Sequence, residues 1–149
     1  MIEELPANAF GYFTEFKKRF YGEFYYINFN NNVLTKLRKN SLPEVPLLWF
    51  LFLEKNFIEE IEEGFFDGIK KVEALKLGEN KLTKFGNDIL ADTDVRYLKL
   101  NDNFLTNIDV NITEILNIED NPLNVECRKQ WDERKKRDRD LFERYFYDS

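Results

Sequence analysis

Apolar residues along this chain recur in one frame: apolar, x, apolar, x, x, Asn, x, apolar. The frame fits Ile27 to Leu34, Leu51 to Ile58, Leu75 to Leu82, Leu98 to Leu105 and Leu116 to Leu123. Its asparagines are Asn32, Asn56, Asn80, Asn103 and Asn121, spaced by 24, 24, 23 and then 18 residues. Asn8 lies another 24 before Asn32, with Leu5 and Phe10 in frame and a polar Glu3 where the first apolar residue belongs. The alternating apolar-x-apolar piece predicts a short strand. Strands are expected near 25–29, 50–54, 74–78, 97–101 and 115–119. Self-similarity at this period predicts a solenoid in which every repeat buries its apolar residues against the next.

The asparagine follows each strand, where the chain turns. An unpaired buried backbone group costs about 1–3 kcal/mol. One amide side chain offers two donors and an acceptor to such groups. Between strands run returns of 17–20 residues. They carry further apolar marks, among them Leu37, Leu48, Ile61, Phe65, Val72, Phe85 and Val95. Turns or short 3₁₀ pieces are expected at Asn40–Pro43 and Phe66–Gly68.

The frame resembles the leucine-rich repeat family. That resemblance implies an α/β solenoid: a short parallel concave sheet, irregular or 3₁₀ convex returns, and a C-terminal cap helix. It also implies that Asn32, Asn56, Asn80, Asn103 and Asn121 stack as a structural ladder. The solenoid is expected over residues 1–127, in about five to six repeats, with 1–23 irregular. Phe13, Phe16 and Phe20 there suggest a helix over 9–21 that closes the first end.

Asn121-Pro122-Leu123 followed by Cys127 and Trp131 is similar to the C-terminal cap of extracellular animal members, including arthropod immune recognition factors. Cap and charged helix are expected over 121–149. Such caps carry four cysteines, whereas this chain has one, so the likeness reaches the cap's shape and not its disulfides. Cys127 is either a buried plug or an intermolecular disulfide. Residues 128–149 carry a net charge of +2 against −8 for the rest, with Trp131, Leu141, Phe142, Tyr145 and Phe146 on an apolar side. Two readings stand open for this helix: a cap folded back on the solenoid, or the start of a partner helix.

The formal charge of −6 argues against generic nucleic-acid binding. No apolar run approaches the length that spans a membrane, so no insertion is expected. Histidine is missing, which removes the commonest general base and metal ligand. Glycines form no phosphate loop. An enzyme, a cofactor and a metal site are therefore not expected.

In a solenoid of this kind, the x residues of the strands tile the concave surface. Tyr26, Phe50, Phe52 and Tyr97 would form an aromatic stripe there, with Lys76, Lys99 and Asn28 beside it. An exposed apolar patch marks a contact surface. Trp49 flanks the stripe, and the N-terminal helix is the alternative cover for Phe50 and Phe52. The expected partner is a protein ligand, with a homodimer as the other reading. Asn111-Ile112-Thr113 is an N-glycosylation sequon. The resemblance implies a secreted protein of innate-immune or adhesion type. The charged first 30 residues keep a cytosolic scaffold open.

Overall fold

A computed structural model describes residues 1–6, 26–43, 45–109 and 111–147, with side chains in the last helix described to Arg144. The helix expected over 9–21, the partial repeat at Asn8 and Phe10, and the Tyr145–Phe146 end of the apolar side lie outside what is described.

The elements are β1 (Tyr26–Asn28), β2 (Lys36–Leu37), β3 (Leu47–Phe52), β4 (Glu60–Ile61), β5 (Lys71–Lys76), α1 (Asn87–Leu90), β6 (Asp94–Lys99), β7 (Ile115–Asn117) and α2 (Val125–Tyr147). Five strands make one parallel sheet in the order β1-β3-β5-β6-β7. Its register aligns Ile27, Leu51, Leu75, Leu98 and Leu116 in one row. That row belongs to one continuous core, closed on the other side by the returns through residues such as Leu37, Ile61, Phe65, Phe66 and Ile89.

Strands β3, β5 and β6 begin about three residues earlier than simple alternation predicts. Leu48, Val72 and Val95 are paired strand residues in register, not marks on the return. Leu48 and Leu51 both enter the core although they are three apart, so strict period two fails between them. Beyond each strand the ladder continues: the N–H groups of Phe29, Leu53, Leu77 and Leu100 donate to the next strand's carbonyls at 2.7–2.8 Å.

The asparagine side chains connect successive repeats. Nδ2 of Asn80 donates to Leu77 O (3.0 Å) in its own repeat and to Leu53 O (2.9 Å) in the one before. Its Oδ1 accepts from Ile58 N at 3.0 Å. Asn56, Asn103 and Asn121 repeat this pattern. At the first end, Asn32 Oδ1 accepts from Ile2 N, and Leu5 enters the core. At the other end, Arg128 Nη2 donates to Asn121 O at 2.7 Å. The residue before each asparagine, namely Asn31, Lys55, Glu79, Asp102 and Asp120, has φ between 53° and 60°. Left-handed backbone at a Lys or Glu costs on the order of 1 kcal/mol, and in-register stacking holds it there.

The returns also contain a pairing that the sequence pattern does not announce. β2 and β4 form a second parallel sheet, Lys36 beside Glu60 and Leu37 beside Ile61. Lys36 Nζ lies 3.0 Å from both Glu60 and Glu62. The backbone N–H of Lys39, then the Lys36 ammonium, hold Glu62 below the usual carboxylate range.

α2 starts on Asn124, whose Oδ1 accepts from Cys127 N at 2.8 Å as an N-cap. Cys127 and Trp131 are in the core, at 1% and 3% exposure. Cys127 Sγ faces Ile108 O at 3.5 Å. The expectation of an intermolecular disulfide at Cys127 is therefore corrected: a thiol buried in the core meets no second chain without unfolding the cap.

One turn further, Arg134 and Asp138 form a buried ion pair at 2.6 Å. Together they cap the open edge of the sheet. Arg134 donates to Thr113 O and Glu114 O, at 2.6 and 2.8 Å, and Asp138 accepts from Leu116 N at 2.8 Å. An exposed edge strand offers unpaired groups to any other chain. Here two side chains of α2 take the place of a sixth strand.

The concave face as candidate functional site

Two columns of the sheet register face away from the core. One is Tyr26, Phe50, Ala74, Tyr97 and Ile115; the other is Asn28, Phe52, Lys76, Lys99 and Asn117. They differ sharply in cover. Tyr26 is 58% exposed, Phe50 and Phe52 are half-buried, and Ala74, Tyr97 and Ile115 are buried.

The cover over the last three is α2. Past Asp138 it crosses the concave face, and Leu141 and Phe142 pack on Ala74, Tyr97 and Ile115. The Phe142 and Tyr97 rings are 5.0 Å apart. Tyr97, expected on the binding surface, is thus 7% exposed and corrected to a covered position. The apolar side of α2 and the apolar column of the sheet bury one another. This second cluster is separate from the solenoid core and ends at Phe50, which packs against it.

Burial pushes the Tyr97 phenol up to about 12, with the Glu54 charge adding to it. The neutral phenol is favoured in the folded chain. The associated stability is therefore fully present below pH 10 and is lost as pH rises through 12. Holding the proton up to that pH corresponds to at most on the order of 2–3 kcal/mol. Absorbance titration should show a tyrosine ionising near 12, together with a fall in stability across that window. Tyr97 titrating near the ordinary phenol value of about 10 would contradict the cover by α2.

Beyond that cover, Tyr26 is exposed and Phe50 and Phe52 are half-buried. Their ring centroids are 5.3–6.0 Å apart, and Tyr26 meets both phenylalanines edge-on. Lys76 Nζ stands 4.4 Å over the Phe52 ring. Asn28 Nδ2 donates to the Tyr26 hydroxyl at 3.0 Å. Lys99 is held by Glu54 at 2.7 Å, so its charge is already paired. Trp49 is half-buried, with its ring centroid 6.3 Å from that of Phe50. Asn111 is exposed on the loop between β6 and β7. Among the described residues, no group of acidic, cysteine or histidine side chains is placed to hold a metal ion. No described helix is long and apolar enough to cross a membrane.

The profile of the leucine rich repeat family matches residues 51–105. The chain has a leucine-rich repeat fold, and residues 51–105 carry that family's repeat. Keratocan of Danio rerio is 34% identical over 88 residues, which is 54% of this chain and 25% of keratocan. The chain therefore spans about a quarter of that relative's length. No solved structure matches the chain. Leucine-rich repeat arrays are generally non-enzymatic protein-interaction modules, and the surface they present is the strand face.

Sequence reasoning placed Leu141 and Phe142 on the apolar side of a helix that could fold back on the solenoid, but not over the concave column at Ala74, Tyr97 and Ile115. The signal was in the helix: Cys127, Trp131, Arg134, Asp138 and Leu141–Phe142 follow helical spacing along one side. Two members of that stripe are charged, which hides it from an apolar search.

Proposed function

We propose that this chain is a non-enzymatic protein-recognition module whose partner docks on the uncovered part of the concave face. Tyr26, Phe50, Phe52 and Lys76 are the anchors, with Asn28 and the paired Lys99 beside them. The observation that carries this reading is the packed aromatic trio left accessible beside a column that α2 covers. Burying each ring in a complex would contribute on the order of 1.5–3 kcal/mol, and aromatic residues dominate interface hot spots. Placement of the module outside the cell, in innate-immune or adhesion-type recognition, is supported by the cap sequence and by the exposed sequon at Asn111.

The test is Phe52→Glu in the chain made through a secretory pathway. A partially exposed ring is replaced, so the unfolding midpoint should stay near wild type. Partners cross-linked to wild type from an extracellular extract should be lost, with affinity down about thirtyfold or more. A glycan should appear on Asn111 and vanish in Asn111→Gln. If Phe52→Glu unfolds the chain, or recovers the same partners at the same affinity, this reading is wrong. A cytosolic scaffold would instead leave Asn111 bare in the native protein.

A further inference from the structure

The residue after each ladder asparagine forms a second row along the solenoid: Val33, Phe57, Lys81, Phe104 and Pro122. Phe57 and Phe104 are 46% and 56% exposed. The backbone is still laddered at this row. Phe57 N donates to Leu34 O, Lys81 N to Ile58 O and Phe104 N to Leu82 O, at 2.8–2.9 Å. Neighbours in the row are therefore about 4.7–4.9 Å apart, and the two phenylalanines, two repeats apart, about 9.5 Å. Lys81 stands between them, with its Nζ 5.1 Å from the Phe57 ring centroid.

Phe104 also borders a groove of about 770 Å³ in the returns. The groove lies where the second sheet stops. Lys84 and Phe85 are the counterparts of Lys36–Leu37 and Glu60–Ile61, yet among the described residues they form no third strand, and α1 follows instead. The groove floor, Ile61 and Ile89, is buried, so the open apolar seat is the phenylalanine row at its rim. Glu59, Glu60, Glu62, Glu63 and Asp88 line it, against Lys81 and Lys84. Lys36 is shared by Glu60 and Glu62. Arg38, 3.9 Å from Glu62, lies closer to Glu4. With Lys36 included, five negative charges face three positive ones. Glu63 and Asp88 are exposed and have no ion-pair partner among the described residues.

A polyproline II segment has three residues per turn and rises 3.1 Å per residue, so residues i and i+3 share a side about 9.3 Å apart. That matches the spacing of Phe57 and Phe104. A β-strand repeats its side every ~6.6–6.8 Å and fits neither one step nor two. A helix sets an i+3 or i+4 side chain on the same face, where Lys81 already stands. In polyproline II the two intervening side chains point elsewhere, and the unpaired carbonyls can accept from Lys81. We propose that this row and groove form a second recognition surface, which seats a basic, proline-rich segment of a partner protein. Two prolines three apart lie on Phe57 and Phe104, and a Lys or Arg beyond them meets Glu63 and Asp88. Aromatic surfaces hold such segments at low entropic cost because the conformation is preformed, and the unmatched carboxylates select the sign of the charge. This surface is independent of the concave-face reading.

The test is selection of a random displayed peptide library on the full chain, followed by affinity measurements on two double variants, Phe57→Ser/Phe104→Ser and Glu63→Lys/Asp88→Lys. All four positions are exposed, and an unchanged unfolding midpoint checks each fold. If one variant fails to fold, the other decides. Recovered peptides should carry Pro-x-x-Pro with Lys or Arg within a few residues. Their affinity should fall at least about tenfold in either double variant, and equally when both prolines are replaced by alanine. It should stay unchanged in Phe52→Glu. It should also weaken between about 0.1 and 1 M salt, as the screening length shrinks from about 10 to 3 Å. Acidic or proline-free peptides, or no enrichment, would overturn the proposal. Peptides lost in Phe52→Glu but kept in both double variants would overturn it too, by placing the segment on the concave face.

Discussion

Asn80→Ala should lower the unfolding free energy by about 3–5 kcal/mol. The side chain is buried and serves four backbone groups, Leu53 O, Leu77 O, Gly78 O and Ile58 N. Each buried group left without a partner costs about 1–3 kcal/mol, and water entering the new gap recovers part of that. Domains of this size are stable by roughly 5–15 kcal/mol, so the loss is a large fraction of the whole. Position matters as much as chemistry. Asn80 sits mid-array, where each repeat is held by both neighbours. Asn32 lies at the half-exposed first end, so Asn32→Ala should cost about 1 kcal/mol. Denaturant unfolding of the two variants compares them directly. Equal effects, or an Asn80→Ala midpoint close to wild type, would mean that the ladder adds little to stability.

The second large effect is expected at the edge cap. Asp138→Ala strips the carboxylate from a buried guanidinium and leaves Leu116 N without an acceptor. Breaking one side of a buried ion pair costs about 3–5 kcal/mol. Exchanging both partners for apolar residues, Arg134→Met with Asp138→Leu, removes the uncompensated charge and should cost less than the sum of the single changes. The carbonyls of Thr113 and Glu114 would still lose their donor, so the double variant should not reach wild type. Because Leu141 and Phe142 follow one turn later, Asp138→Ala should also loosen the cover over Tyr97. A tyrosine titration that moves back toward 10 in this variant would show that loosening. Unaltered stability would mean that solvent satisfies the edge and that the pair is incidental.

The solenoid was legible in the sequence because its cause is local and repeated. The leucine row, the asparagines and the turn positions recur every 23 or 24 residues until a last step of 18, and one geometry satisfies all copies. Strand starts were less legible, since Leu48, Val72 and Val95 break alternation. The β2–β4 pairing has no pattern beyond two residues per strand. Lys55 and Glu79 give no hint of a left-handed backbone, because the surrounding stack and not their own preference sets it. The binding face was half legible. The outward columns could be listed from the frame, but their cover could not. Tyr97 and Tyr26 occupy equivalent positions, and only the path of α2 separates them. That path depends on Arg134 and Asp138 meeting backbone groups some 20 residues earlier in the chain, a contact that no periodicity encodes. Cys127 went the same way: its burial depends on where the helix docks.

The most direct measurement is hydroxyl-radical footprinting of the folded chain, read residue by residue. The central claim is that α2 divides the concave face into a covered part and an open aromatic stripe. On that account Tyr26 is oxidised rapidly and Phe52 moderately, while Tyr97 is protected until the chain unfolds. Tyr97 reacting as fast as Tyr26 would contradict it, because α2 would then not lie on the concave face.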